Sequence, residues 1–178
     1  SWVSSRLVWA APRLHINQKG YNLNERAKLA LIEALQSLLV ESQGVAVNPM
    51  PKESWQKSVL EITQLHFSTI EEALPKLGDI LLDLGLKGIG LWIRSDNERT
   101  LKLVGQYPEA PAVSDHFSPE RHPVYYQVLE RNLIIPADDA RQDARMVELR
   151  EMLQARGLGA VLQVVLHSDN GLRGVIWL

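Results

Sequence analysis

A chain of 178 residues, 46% hydrophobic and 22% charged, has the size of one compact domain with an appendage or of two very small domains, and its overall composition is that of globular material, well away from a disordered chain. A formal net charge of -2 with dispersed Lys and Arg argues against a nucleic-acid partner, because phosphate neutralisation needs clustered cations. The absence of cysteine excludes disulfides, thiolate metal sites, thiol nucleophiles and thioether-linked chromophores.

From the N-terminus, Ser1 to Pro12 is apolar and carries Trp2 and Trp9; it reads as an arm packing on the domain or as the stub of a membrane-proximal segment. No run reaches the ~18 apolar residues of a membrane-spanning helix. A basic start with a cleavage motif is also lacking. The expected location is the cytoplasm, either free or as the cytoplasmic part of a membrane-anchored protein. Asn22 and Glu25 have capping-box spacing and open a helix on which Leu23, Ala27, Leu31, Ala34, Leu35 and Leu38 recur along one side. Gln43-Gly44 should end it. Asn48-Pro49-Met50-Pro51 is a breaker cluster, which places the main boundary between an arm and connector helix (residues 1–50) and a domain of residues 51–178.

Trp55, Val59, Ile62 and His66 line one side of the next expected helix. Ser68 and Glu71 predict a restart at Thr69, with Ile70, Leu74, Leu77, Ile80, Leu81 and Leu84 as the apolar stripe and Gly85 as the stop. Pro75 should kink or split that helix. Gly88 to Ile93 reads as a buried strand, Ser95 to Glu98 as a tight turn and Thr100 to Gly105 as the returning strand. Residues 107–121 hold three prolines and no periodicity, so a long loop is expected. Pro123 suits the first turn of a helix through Arg131. Leu133 to Pro136 is a short strand. Ala144 to Arg156 is a helix with Val147, Leu149, Met152 and Leu153 as apolar members, ended by Gly157. Gly159 to His167 and Leu172 to Leu178 form a closing hairpin around Asn170-Gly171, a strong two-residue turn signal.

Four local features carry a family resemblance over roughly residues 69–178. The first is Ile70-Glu71-Glu72-Ala73-Leu74 leading into Gly88 to Ile93. The second is His122-Pro123-Val124-Tyr125-Tyr126-Gln127-Val128-Leu129-Glu130. The third is Leu133-Ile134-Ile135-Pro136-Ala137-Asp138-Asp139-Ala140, and the last is Gly159 to Leu166 followed by Asn170-Gly171 and Gly174 to Leu178. In this order they resemble the GAF family of small-molecule-binding regulatory domains. Family members often have Ser near Ala160 and Pro near Val165, and this chain has neither.

The resemblance implies an α+β fold: a central antiparallel sheet of roughly five to six strands flanked by helices, with an N-terminal helical extension. It implies that a final helix and an output domain follow Leu178. Bilin-carrying members and methionine-sulfoxide reductases of the family rely on cysteine, and the cyclic-nucleotide subset has an Asn-Lys-Phe-Asp-type signature; none of these is present here. The expected function is a non-catalytic sensory or regulatory module of a larger bacterial signal-transduction protein (sensor kinase, diguanylate cyclase or transcription activator). Such a module binds an unknown small effector or relays a conformational signal through its helices, with no resident cofactor. The alternative is a degenerate scaffold used only for dimerisation. A homodimer through the N-terminal helices follows if the Leu23–Leu39 stripe has no core of its own to cover.

The resemblance places the pocket between the sheet and the segment from Tyr107 to Arg145. Tyr125, Tyr126, Val128 and Ile134 are candidates to line it, and His122, Asp139 and Arg141 to supply polarity. The tyrosines read equally as core, and the charged groups as caps. Asp138, Asp139 and Asp143 are candidates for acid-base chemistry or turn acceptors. With His122 the first two would suit a hydrolase or metal-dependent enzyme. Asp115, His116 and His122 have ligand chemistry but no regular spacing. Glu148, Arg150, Glu151 and Arg156 read as a solvated, mixed-charge helix face.

Overall fold

The structure, a computed structural model, describes residues 52–65, 70–94, 97–108 and 116–178. The expected arm, connector helix and boundary, Ser68 and the turn at Ser95-Asp96 lie outside the described residues, as do His66 and Asp115. Two helices come first, α1 (Lys52–Gln64) and α2 (Ile70–Asp83). Strands β1 (Ile89–Arg94), β2 (Leu101–Tyr107) and β3 (His116–Phe117) follow, then α3 (Pro123–Arg131) and β4 (Ile134–Ala137). A 3-10 helix (Ala144–Leu149) runs into α4 (Arg150–Ala155), and β5 (Val161–Ser168) and β6 (Gly171–Trp177) close the chain. The strands form one sheet in the order β3-β2-β1-β6-β5-β4. Every neighbouring pair is antiparallel, so the fold is α+β as the sequence predicts.

Strand side chains alternate between faces, and this alternation sorts the core into two layers. Ile89, Leu91, Leu162, Val164, Leu166 and Ile176 point to one face, where they pack with Ile62 of α1 and Ala73, Leu74, Leu77 and Leu81 of α2. Trp92, Val161, Val165, Val175 and Trp177 point to the other, where they meet Phe117, Tyr125, Tyr126, Leu129, Met146, Leu149 and Leu153. One layer is aliphatic; the other is aromatic. On α2 the close approach to β2 depends on Gly78: a Cβ there would lie 1.9 Å from Tyr107 Cδ1. The Tyr107 ring occupies that space, and its hydroxyl donates to Asp79 Oδ1 at 2.6 Å.

Four elements differ from expectation. The loop expected over 107–121 contains β3, whose two residues pair with Leu101 and Lys102; a strand that short has no period to read. Pro75 lies inside α2 without splitting it. It removes one hydrogen bond, to the Glu71 carbonyl, and its ring faces solvent. The helix over 144–156 is two pieces, a 3-10 segment to Leu149 and α-helix from Arg150, and Met146 (φ -119°, ψ 19°) leaves helical geometry inside the first. Met146 and Leu149 are then the buried members, three residues apart as a 3-10 turn requires, and Val147 is exposed. In the closing hairpin Ser168 pairs with Gly171, so Asp169 and Asn170 make the turn and Gly171 follows at φ +91°.

Candidate functional site

The aromatic layer between the sheet and α3 is where the candidate pocket residues were expected. Its position is set from both ends of α3. Pro123 opens the helix, and His122 at its N-cap supplies no side-chain cap. Glu148 of the 3-10 helix does so instead, accepting from the backbone N–H of Val124 (3.1 Å) and of Tyr125 (2.9 Å). A carboxylate at a helix N-terminus satisfies free donors and meets the positive end of the dipole. This contact joins segments 24 residues apart in sequence. Glu148 is therefore a structural anchor, not a solvated group.

Tyr125 is fully buried. Its hydroxyl donates to Gln163 Oε1 at 2.9 Å and accepts from Trp177 Nε1 at 3.0 Å. Gln163, itself 0% exposed, donates onward to Met146 Sδ at 3.6 Å. Burial pushes the Tyr125 phenol well above its ordinary value, and the bond from Trp177 pulls weakly the other way. Around this chain Phe117 stacks on Trp177 (5.7 Å, 12° between planes) and meets Tyr125 edge-on at 5.2 Å. Trp92 tilts against both Phe117 and Trp177 at 5.3 and 5.4 Å. The layer is thus filled by rings of this chain, and the polar groups of Tyr125, Gln163 and Trp177 are paired to one another.

Two other polar groups of the layer are not paired. Tyr126 is 2% exposed and its hydroxyl has no hydrogen-bond partner; Trp92 Nε1 is likewise buried and unpartnered. Burial raises the Tyr126 phenol, and the nearby Arg94 and Arg99 oppose it. The Arg99 guanidinium lies 5.7 Å from the Tyr126 ring centroid and bridges Glu130 at 3.2 Å. His122 accepts from the Ser118 N–H at its Nδ1 (3.4 Å) and meets Phe117 edge-on. Burial holds its pKa below the ordinary 6.5. Glu148 opposes that shift, and Arg121 and His116 add to it.

Of the candidate residues, Tyr125, Tyr126, Val128 and His122 come together at this layer. Ile134 does not: it packs on the aliphatic layer, and its neighbour Ile135 faces the aromatic side, as period-two alternation demands. Asp139 and Arg141 lie elsewhere, in an open groove of about 760 Å³ lined also by Gln142, Arg150 and Gln154. Asp139 Oδ1 accepts from Arg141 N and Nε, both at 3.2 Å, and Oδ2 accepts from Gln142 Nε2 at 3.1 Å. Asp143 accepts from Arg145 N, Nε and Nη2, while that Nη2 also reaches the Pro136 carbonyl at 2.6 Å. The bond from Arg145 holds the Asp143 carboxyl below its ordinary value. Asp139 and Asp143 thus act as local turn and cap acceptors. Among the described residues no three His, Asp or Glu side chains gather as a metal site would need. No described helix is long and apolar enough to cross a membrane.

Gln163, Met146, Phe117, Trp92 and Trp177 were not among the candidates. Gln163 carried a signal: a lone polar residue within Val161-Leu162-Gln163-Val164-Val165-Leu166 must find a partner if the run is buried.

No family model and no curated protein matches the chain. Among solved structures, the GAF domain from a phosphoenolpyruvate-protein phosphotransferase (ptsP) of Coxiella burnetii matches with a TM-score of 0.52 at 16% identity, over 70% of this chain and 74% of that one. The A. aeolicus nlh2 GAF domain in an inactive state matches with a TM-score of 0.49 at 17% identity, over 85% and 80% of the two chains. A free methionine-R-sulfoxide reductase from Neisseria meningitidis, in complex with its substrate, gives 0.49 at 15% identity, over 82% and 73%. At these identities the likeness is one of fold, and that fold is GAF-like.

Proposed function

We propose that this chain is a non-catalytic, cytoplasmic regulatory module of a larger bacterial signal-transduction protein, which relays a conformational signal through its helices with its interior filled by its own side chains. The GAF-like fold supports the regulatory class by analogy. The single observation that favours relay over effector capture is the closed chain Trp177–Tyr125–Gln163–Met146 within stacked rings. An effector entering there must separate paired buried groups and displace close-packed aromatic rings, both unfavourable in a dry interior. The apolar stripe of Leu23 to Leu38 supports a homodimer through the N-terminal helix.

A second reading places an effector in the same layer. Trp92 Nε1 and the Tyr126 hydroxyl are buried donors without acceptors, and an acceptor-bearing effector would satisfy them. The indole N–H signals of Trp92 and Trp177, assigned through Trp→Phe variants, separate the two. We expect no compound in a panel of metabolites and nucleotides to move either signal. A compound that moves both, and whose effect is lost in Tyr126→Phe, would replace relay by effector binding.

A further inference from the structure

We propose that the groove beside the β4 to 3-10 connection is an anion site, taking the phosphate of a soluble phosphorylated metabolite on Arg141 and Arg150. Its lining of Asp139, Arg141, Gln142, Arg150 and Gln154 contains no apolar side chain, and it carries two cations against one anion. That anion is already engaged. The Asp139 carboxylate accepts three hydrogen bonds from Arg141 and Gln142, which hold the turn in shape. Both guanidinium groups are anchored through Nε: Arg141 to Asp139 Oδ1 at 3.2 Å, Arg150 to the Arg141 carbonyl at 2.8 Å. No hydrogen bond or ion pair involves the Nη atoms of either among the described residues. Two pre-positioned guanidinium groups sharing one groove suit a tetrahedral dianion, whose several oxygens can engage donors from both.

The groove is open, and its volume of about 760 Å³ exceeds a bare phosphate. The amides of Gln142 and Gln154 suit the hydroxyl groups of an attached polar moiety, so the class is a sugar phosphate or nucleotide. An acyl chain or an apolar peptide anchor would find no apolar side chain here. The site does not depend on whether the interior is closed. Its reporters are Arg141, Gln142 and Arg150, whereas the interior reports through Trp92 and Trp177.

The test is a titration of the full chain with inorganic phosphate, a hexose phosphate and the unphosphorylated hexose, read in amide and Arg Nε signals, with potassium chloride at matched ionic strength. Phosphate and hexose phosphate should shift Arg141, Gln142 and Arg150 saturably, the sugar phosphate at lower concentration, and chloride and hexose should not. Arg150→Gln should weaken binding roughly tenfold or more. Gln154→Glu, which places a second anion in the groove without removing any side-chain bond described above, should do the same with an unchanged melting temperature. Absence of a saturable shift, an equal response to chloride, or full binding in both variants would overturn the proposal.

Discussion

Tyr125→Phe removes one oxygen and strands two buried polar atoms. Trp177 Nε1 loses its acceptor at 3.0 Å and Gln163 Oε1 its donor at 2.9 Å, in residues 6% and 0% exposed. A buried donor or acceptor left without a partner costs about 1–3 kcal/mol, so the expected loss for two is about 2–6 kcal/mol. That is a large share of the roughly 5–15 kcal/mol that holds a domain folded. Gln163→Leu strands the Tyr125 hydroxyl proton, for about 1–3 kcal/mol, and leaves the weak acceptor Met146 Sδ without its donor. In the double variant the Gln163 oxygen no longer exists, and, Met146 Sδ aside, only Trp177 Nε1 is stranded. Its cost should therefore fall short of the sum of the single costs by two stranded atoms, about 2–6 kcal/mol. Urea unfolding of the four proteins gives these values, provided the slope m is unchanged among them. Additive losses, or a loss under about 0.5 kcal/mol for Tyr125→Phe, would show that the polar chain does not hold the layer together.

Glu148→Ala should destabilise by about 0.5–2 kcal/mol, measured by chemical unfolding, because two N–H groups at the start of α3 lose their acceptor; a neutral result would mean that water replaces the cap at no cost. His122 makes stability depend on pH with a definite sign. Its folded pKa lies below the ordinary 6.5, so above that pH the residue is neutral in both states; as pH falls through it, the unfolded chain takes up a proton that the folded chain refuses. Stability is then lost down to the folded pKa and no further. From about pH 7 to about pH 5 the wild type should lose more stability than His122→Gln, and equal slopes would remove His122 as the cause.

The strands around Gly88 to Ile93 and Gly159 to Leu178 were legible because burial on alternate sides leaves runs of Val, Ile and Leu bounded by turn residues. Gly85 and Gly157 were legible as stops because each takes a positive φ, 81° and 64°. The pocket was not. The Leu133-Ile134-Ile135 run is apolar on both sides, so sequence alone does not say which isoleucine faces which layer. Glu148 looks like any charged residue on a helix until α3 is placed beside it, and β3 is visible only through its pairing with β2. In each case the deciding contact is long-range, whereas periodicity reports only local preference.

The two faces of the sheet hold their covers by different physics, and this bears on how such a module would relay a signal. The face under α1 and α2 is held mainly by aliphatic contact, which is non-directional, with the Tyr107 ring against Gly78 and its hydroxyl on Asp79 as a specific tie. The face under α3 is held by rings at fixed angles and by hydrogen bonds whose partners cannot be exchanged without cost. A displacement entering through α1 and α2 therefore meets one layer with few directional ties and one with many. The strands connect them residue by residue: Leu91 and Trp92, Val164 and Val165, Ile176 and Trp177 are chain neighbours on opposite faces. Between Leu91 and Trp92 the register with β2 shifts, so the rigid layer is anchored where β1 is already irregular. Under relay, movement of the aliphatic layer should be strongest in the helices and should fade at Trp92, which places the working surface of the module on α1 and α2 and not in the interior behind α3.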